Sequence, residues 1–252
     1  MQNKTLVSFG DSWPQGSELR HGEKPFGKLL SEKLGCKDFN NYSMPASSIN
    51  HLSVQLNSHI KSWNDRIQDL SDSIAVFFLT GQERFMVYDD FISERIPIPA
   101  RREPYVEAFW KWWTSSPTST PHNNPTQKGL WFFQNPAGGF SSPSQDKKLC
   151  NLIDQAYWKY IYSPELSDVT TNNTIIALQT MCRHYRIKDY YVAGWQLVNF
   201  WPTVDTTKIY KNGIVNCMDL IKGHKAEGGH PNQQGHQLIA DALYEWIKTD
   251  AR

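Results

Sequence analysis

Apolar residues along this chain fall into two kinds of pattern that alternate. Thr5 to Phe9 is a short apolar run closed by Gly10, which predicts a buried strand. Phe26, Leu29, Leu30 and Leu34 then recur at helical spacing, and Gly35 supplies a stop. Phe39 to Tyr42 reads as a second, very short strand. Ile49, Leu52, Leu56, Ile60, Trp63, Ile67 and Leu70 step by three or four, a long amphipathic helix with Ser47 or Ser48 as N-cap. Ser73 to Leu79 is apolar on both faces and is expected at the centre of a sheet.

From about residue 91 to 164 the periodicity breaks. This stretch carries the Trp110, Trp112 and Trp113 cluster, Trp131-Phe132-Phe133, and loops rich in Ser, Thr, Pro and Asn. It is too aromatic to be disordered throughout and too irregular for a βα unit, so it is expected to be an insertion over one end of the sheet. Its tryptophans have two readings: a satellite core beneath a long loop, or flat faces lining an acceptor groove. Regular structure resumes with a helix over Asn173 to Tyr185 and a strand over Asp189 to Ala193. In the final helix Leu238, Ile239, Ala242, Leu243, Trp246 and Ile247 share a face. Strands alternating with helices predict one α/β domain, a three-layer sandwich on a mostly parallel sheet.

The composition removes several alternatives. With 26 Lys plus Arg against 25 Asp plus Glu in 252 residues, the formal charge of +1 gives no reason to expect nucleic acid or an anionic membrane as partner. No apolar run approaches the roughly 20 residues of a membrane span. The segment Met1 to Thr5 enters a strand at once, leaving no room for a signal peptide, so a cytoplasmic location is expected. Cys36, Cys150, Cys182 and Cys217 are scattered without Cys-x-x-Cys spacing, which favours reduced thiols over a disulfide framework or a zinc site. His224, His230 and His236 recur every six residues, a spacing that matches neither a helix face nor a zinc signature. No metal or other cofactor is expected.

Candidate chemistry lies at the two ends of the chain. Leu6 to Phe9 runs into Gly10-Asp11-Ser12, with Gly16 following; near the other end stands Glu227-Gly228-Gly229-His230-Pro231-Asn232. A parallel α/β sheet builds its sites at the carboxyl ends of its strands, which is where Ser12 falls. A serine hydroxyl is a poor nucleophile until a base takes its proton. His230 is the candidate base, and Glu227, three residues before it, is the candidate carboxylate to hold its ring.

These blocks resemble those of the SGNH/GDSL hydrolase superfamily, over roughly residues 5–80 and 189–248. The resemblance implies a flavodoxin-like α/β/α fold and esterase, lipase, thioesterase or deacetylase activity. Glu227-x-x-His230-Pro231 stands where the family has Asp-x-x-His-Pro. The same resemblance implies an oxyanion hole from the Ser12 N–H, the N–H of Ala46 and the amide of Gln82. Ala46 takes the family's glycine position within Asn41-Tyr42-Ser43-Met44-Pro45-Ala46-Ser47-Ser48. Gln82 replaces the family asparagine after a one-residue shift in Thr80-Gly81-Gln82-Glu83-Arg84; without the shift Glu83 takes that place and repels an oxyanion. Asp11 and Trp13, beside the nucleophile, and Arg84 are expected to contact substrate, with pairing of Arg84 to Glu83 or Asp89 as the structural alternative. The start Ser-x-x-x-Gly-x-Glu-Leu is similar to phage-encoded members, which implies a virion or host-cytoplasm setting.

The function expected is a serine esterase acting on a small acyl group, such as O-acetyl on a carbohydrate. Its rival is a non-catalytic binding or virion-structural module with a degenerate oxyanion hole. A flavin site is disfavoured, because the first loop lacks a Ser/Thr/Gly-rich phosphate cradle.

Overall fold

The computed structural model describes residues 3–44, 47–64, 69–81, 86–89, 130–135, 139–141, 163–195 and 198–250. Its centre is a four-stranded, all-parallel sheet in the order β2-β1-β3-β7. The strands are β1 (Thr5–Phe9), β2 (Asp38–Asn41), β3 (Ser73–Leu79) and β7 (Lys188–Ala193). Every residue of β1 and β3 is buried, as a strand covered on both faces requires. Beyond β7, Ile209 and Asn216 make isolated parallel bridges to Tyr191 and Ala193, so the returning chain covers that edge.

Side-chain alternation divides the core into two layers. On one face Val7, Phe9, Ala75, Phe77, Leu79 and Tyr191 pack against helices α3 (His51–Asn64) and α4 (Pro164–His184). On the other, Leu6, Ile74, Val76, Phe78, Tyr190 and Val192 pack against α2 (Phe26–Leu34), α5 (Cys217–Ile221) and α6 (Gln233–Asp250). This is a three-layer α/β/α arrangement compatible with a flavodoxin-like fold. In the first layer Phe9, Phe77 and Tyr191 are paired in register on neighbouring strands. Their rings stack at 4.7 and 4.9 Å between centroids. Such cross-strand aromatic contacts fix strand register as well as burying area.

The helices follow their apolar spacing, with differences at the ends. Helix α2 closes on Gly35 in the left-handed conformation, as expected. Helix α3 is described to Asn64, and Leu70, expected within it, instead opens the 3-10 turn Leu70–Asp72, capped by Asp69. Helix α4 begins at Pro164, nine residues before the expected Asn173. Ser163 caps it, Pro164 occupies its first turn and Glu165 follows, a complete helix-start signature obscured by the polar run after it. The stretch read as irregular contains strands: β5 (Leu130–Asn135) pairs antiparallel with β4 (Met86–Asp89) and with β6 (Gly139–Ser141). The Trp110, Trp112 and Trp113 cluster lies outside the described residues. Among the described residues, no helix is long and apolar enough to cross a membrane.

Two buried histidines tie helices to this core. His51 shares a hydrogen bond with Ser47 Oγ, and His236 Nδ1 accepts from the Phe26 N–H at 3.1 Å. Burial lowers His51 to about 4. Burial, aided by the charge of nearby His230, lowers His236 to about 3. Both rings therefore stay neutral where the unfolded chain, titrating near 6.5, takes up protons. The stability they contribute is full above pH 6.5 and is lost as pH falls towards their folded values. The unfolding free energy read from urea titrations is expected to drop between pH 6.5 and 4.5, by up to about 1.4 kcal/mol per pH unit for each ring. His51→Gln should flatten that slope; an unchanged slope would contradict the assignment.

Candidate active site

Strand β1 ends at a turn that only glycine permits. Gly10 has φ +151, and a Cβ there would lie 2.6 Å from Pro14 Cγ and 2.8 Å from Phe78 Cβ. The chain then enters the one-turn helix α1 (Ser12–Gln15), capped by Asp11, whose carboxylate accepts from the Trp13 N–H at 2.9 Å. Its second oxygen accepts from Thr80 Oγ1 at 2.9 Å, fastening the turn to the end of β3. The Asn41 amide donates to the Pro14 carbonyl at 2.9 Å, fastening the same helix to the end of β2. Ser12 is thus the first residue of a helix pinned on both sides. Among the described residues nothing accepts from its N–H, as the geometry of a helix start dictates.

Helix α1 closes at Gly16 with φ +91, and the Ser17 N–H bonds back to the Ser12 carbonyl at 3.0 Å. This reversal returns Glu18 to the side of Ser12. Glu18 itself sits at φ +68, a conformation uncommon for a residue with a side chain.

The opposite end of the chain arrives as a tight loop. The Ala226 N–H bonds to the His230 carbonyl at 2.7 Å, the Gly229 N–H bonds to the Ala226 carbonyl at 3.1 Å, and Lys225 bridges to Pro231. Asn232 then caps α6 through the Gly235 N–H at 3.0 Å. His230 emerges beside Ser12, with Nε2 2.9 Å from Ser12 Oγ. Its Nδ1 lies 2.8 Å from Glu18 Oε2.

The carboxylate on His230 is therefore that of Glu18 and not of Glu227, which is exposed. Glu18 also accepts from the Gly228 N–H at 2.8 Å and the His230 N–H at 3.1 Å. A side chain at Gly228 would collide with that carboxylate, so glycine there gives its N–H to Glu18. Burial acts to raise the Glu18 carboxyl. The His230 ring and N–H bonds, the ring's charge and the Gly228 N–H outweigh it, leaving the group below its ordinary 4.5. Glu18 is then an acceptor at neutral pH, which places the ring proton on Nδ1 and leaves Nε2 to accept from Ser12.

Other expected site residues divide. Asp11 is fully buried, with its carboxylate bonded to Trp13 and Thr80, so it shapes the turn. Trp13 is 5% exposed and packs 5.7 Å from Phe78 and 5.5 Å from Trp195, a core ring beneath the nucleophile. Ala46, Gln82 and Arg84 lie outside the described residues. Among the described residues no three His, Cys, Asp or Glu side chains converge as metal ligands.

Two residues that sequence reasoning missed lock the chain ends together. The Gln233 amide accepts from the Lys24 N–H at 2.7 Å and donates to the Lys24 carbonyl at 3.3 Å. His236 holds Phe26 two residues on. Beside Glu18 lies an open cleft of about 750 Å³ whose walls include Arg20, Glu23, Lys225, Glu227 and Asn232.

The chain matches no protein-family model and no curated protein. Glu18→Gln, which leaves Nδ1 without an anionic partner, should slow reaction of Ser12 with a small fluorophosphonate by about 10²–10⁴-fold. Glu227→Gln should leave the rate unchanged. The reverse ranking, read by intact mass against time, would return the role to Glu227.

Proposed function

We propose that the protein is a serine esterase of the SGNH type, working through Ser12, His230 and Glu18. The reading rests chiefly on one observation: a hydroxyl, both nitrogens of one imidazole and a carboxylate align with contacts of 2.9 and 2.8 Å. Ser12 Oγ attacks the ester carbonyl carbon as its proton passes to His230 Nε2. Glu18 keeps Nδ1 protonated and stabilises the imidazolium that results. The Ser12 N–H serves the developing oxyanion, with the Ala46 N–H and the Gln82 amide as its expected companions. The tetrahedral intermediate collapses, the C–O bond breaks, and Nε2 delivers its proton to the departing alcohol. Water then attacks the acyl-enzyme with His230 as base, releasing the acid and restoring Ser12. This chain of residues needs no cofactor.

The cleft beside Glu18 is walled by charged and amide side chains that offer donors and acceptors to hydroxyl groups, while Ser12 and His230 are not among its lining residues. A small acyl group on a carbohydrate is the substrate class that the sequence favours. A non-catalytic module has no physical need to keep nucleophile, base and carboxylate in line.

Incubation with a fluorophosphonate should add one adduct to the wild type and none to Ser12→Ala. An unlabelled wild type, where a control esterase labels, would sink the assignment. With p-nitrophenyl esters, acetate should be turned over faster than octanoate; a strong preference for octanoate would overturn the small-acyl reading.

A further inference from the structure

The Gly10 turn must place Ser12, yet Gly10 lies past the last paired residue of β1 and its backbone groups need partners. The partner is one side chain. Gln55, buried on helix α3, accepts from the Gly10 N–H at 2.8 Å through Oε1 and donates to the Gly10 carbonyl at 2.8 Å through Nε2. Its amide thus stands in for the peptide of an adjacent strand. The Met44 N–H reaches the same Gly10 carbonyl at 3.0 Å. Through its second hydrogen Nε2 donates to Ser47 Oγ at 3.2 Å, and Ser47 Oγ donates to the Met44 carbonyl at 2.7 Å. His51 Nδ1, 2.9 Å away, closes the set. With the Ser47 proton on Met44, His51 is the donor to Ser47, as a neutral ring allows.

Gln55 therefore touches the turn that carries Ser12 and, through Ser47, the residues that follow β2. Past the paired residues of β1 and β2, the Tyr42 N–H bonds to the Ser8 carbonyl at 2.9 Å and the Met44 N–H to that of Gly10. Gln55 adds an acceptor for the Gly10 N–H and a second donor to its carbonyl, so the buried amide fixes the Gly10 peptide from the side of α3.

We infer that Gln55 is a positioning residue for the turn that carries Ser12, and so for the Ser12 N–H that serves the oxyanion. This inference rests on the esterase reading. Its effect acts on the transition state and not on ground-state binding, since an oxyanion exists only in the former. Misplacing a donor by a fraction of a bond length then appears in kcat.

The test compares Gln55→Met, which removes both polar partners, and Gln55→Glu, which keeps the acceptor for Gly10 and weakens the donors. The control is Leu52→Ala, a cavity on the buried face of the same helix that leaves the network intact. Hydrolysis of p-nitrophenyl acetate and the rate of fluorophosphonate labelling are measured on monomer isolated by gel filtration, below each variant's melting temperature. Both Gln55 variants should lose about 10- to 100-fold in kcat and in labelling rate with KM little changed. Leu52→Ala should lower the melting temperature while keeping kcat per folded molecule. If the Gln55 variants keep wild-type kcat per folded molecule, or lose it only as far as Leu52→Ala does, Gln55 is structural and the inference fails alone. If the wild type neither labels nor turns over, the esterase reading fails and this inference with it.

Discussion

Both ring nitrogens of His230 bond to one short segment near the start of the chain, and the rest of the site is arranged around that constraint. Ser12 and Glu18 are separated by six positions, and the imidazole that joins them lies more than 200 residues away. A relay of this kind has no tolerance for sliding. A shift of an ångström along either segment breaks one bond or the other, and the ring cannot compensate because its two nitrogens are fixed relative to each other. The surrounding contacts address that problem. Gln233 grips Lys24, His236 grips Phe26, and the Glu18 carboxylate takes two backbone N–H groups from the loop that carries His230. The chain ends are fastened at several points, so the two bonds to the imidazole align without having to hold the fold together themselves.

The sheet provides the other half of the placement. Parallel strands β1, β2 and β3 all end at the rim where Ser12 emerges, and each contributes a fastening. Gly10 continues from β1, Asn41 closes β2 on the Pro14 carbonyl, and Thr80 extends β3 onto Asp11. Ser12 therefore sits on an over-determined turn. That is the condition under which a strained backbone persists, as Gly10 and Glu18 show with their positive φ. On the proposed esterase reading this rigidity serves chemistry, since a preorganised donor and base do not need to reorganise as charge develops.

Much of this was legible from residue order. The alternation of strands and helices, the central position of Ser73–Leu79 and the meeting of Ser12 with His230 all follow from patterns that are local or topological. The acid was not legible, because Glu227 satisfies a local acid-x-x-His spacing while the real partner comes from elsewhere in the chain. Proximity in sequence offered the wrong carboxylate. The cue was present in the glycine two residues before Glu18, whose left-handed turn ends a one-turn helix and sends the chain back. The structural roles of Asp11 and Trp13 were hidden for a related reason: a motif marks the residues beside Ser12 but not which way each is turned, and one is a helix cap and the other a core ring.

Gln55 shows a further limit of periodic reading. At a buried position of an amphipathic helix, glutamine breaks the apolar pattern and would ordinarily be discounted as a flaw. A buried amide survives only if its donors and acceptor are met, and here they are met by the Gly10 N–H and carbonyl, past the last paired residue of β1, and by Ser47 Oγ. The polar exception in a helix face and the Gly10 peptide beyond the end of β1 are one fact seen from two elements. Where such a coincidence falls beside a candidate nucleophile, the break in the pattern carries more information about chemistry than the pattern does.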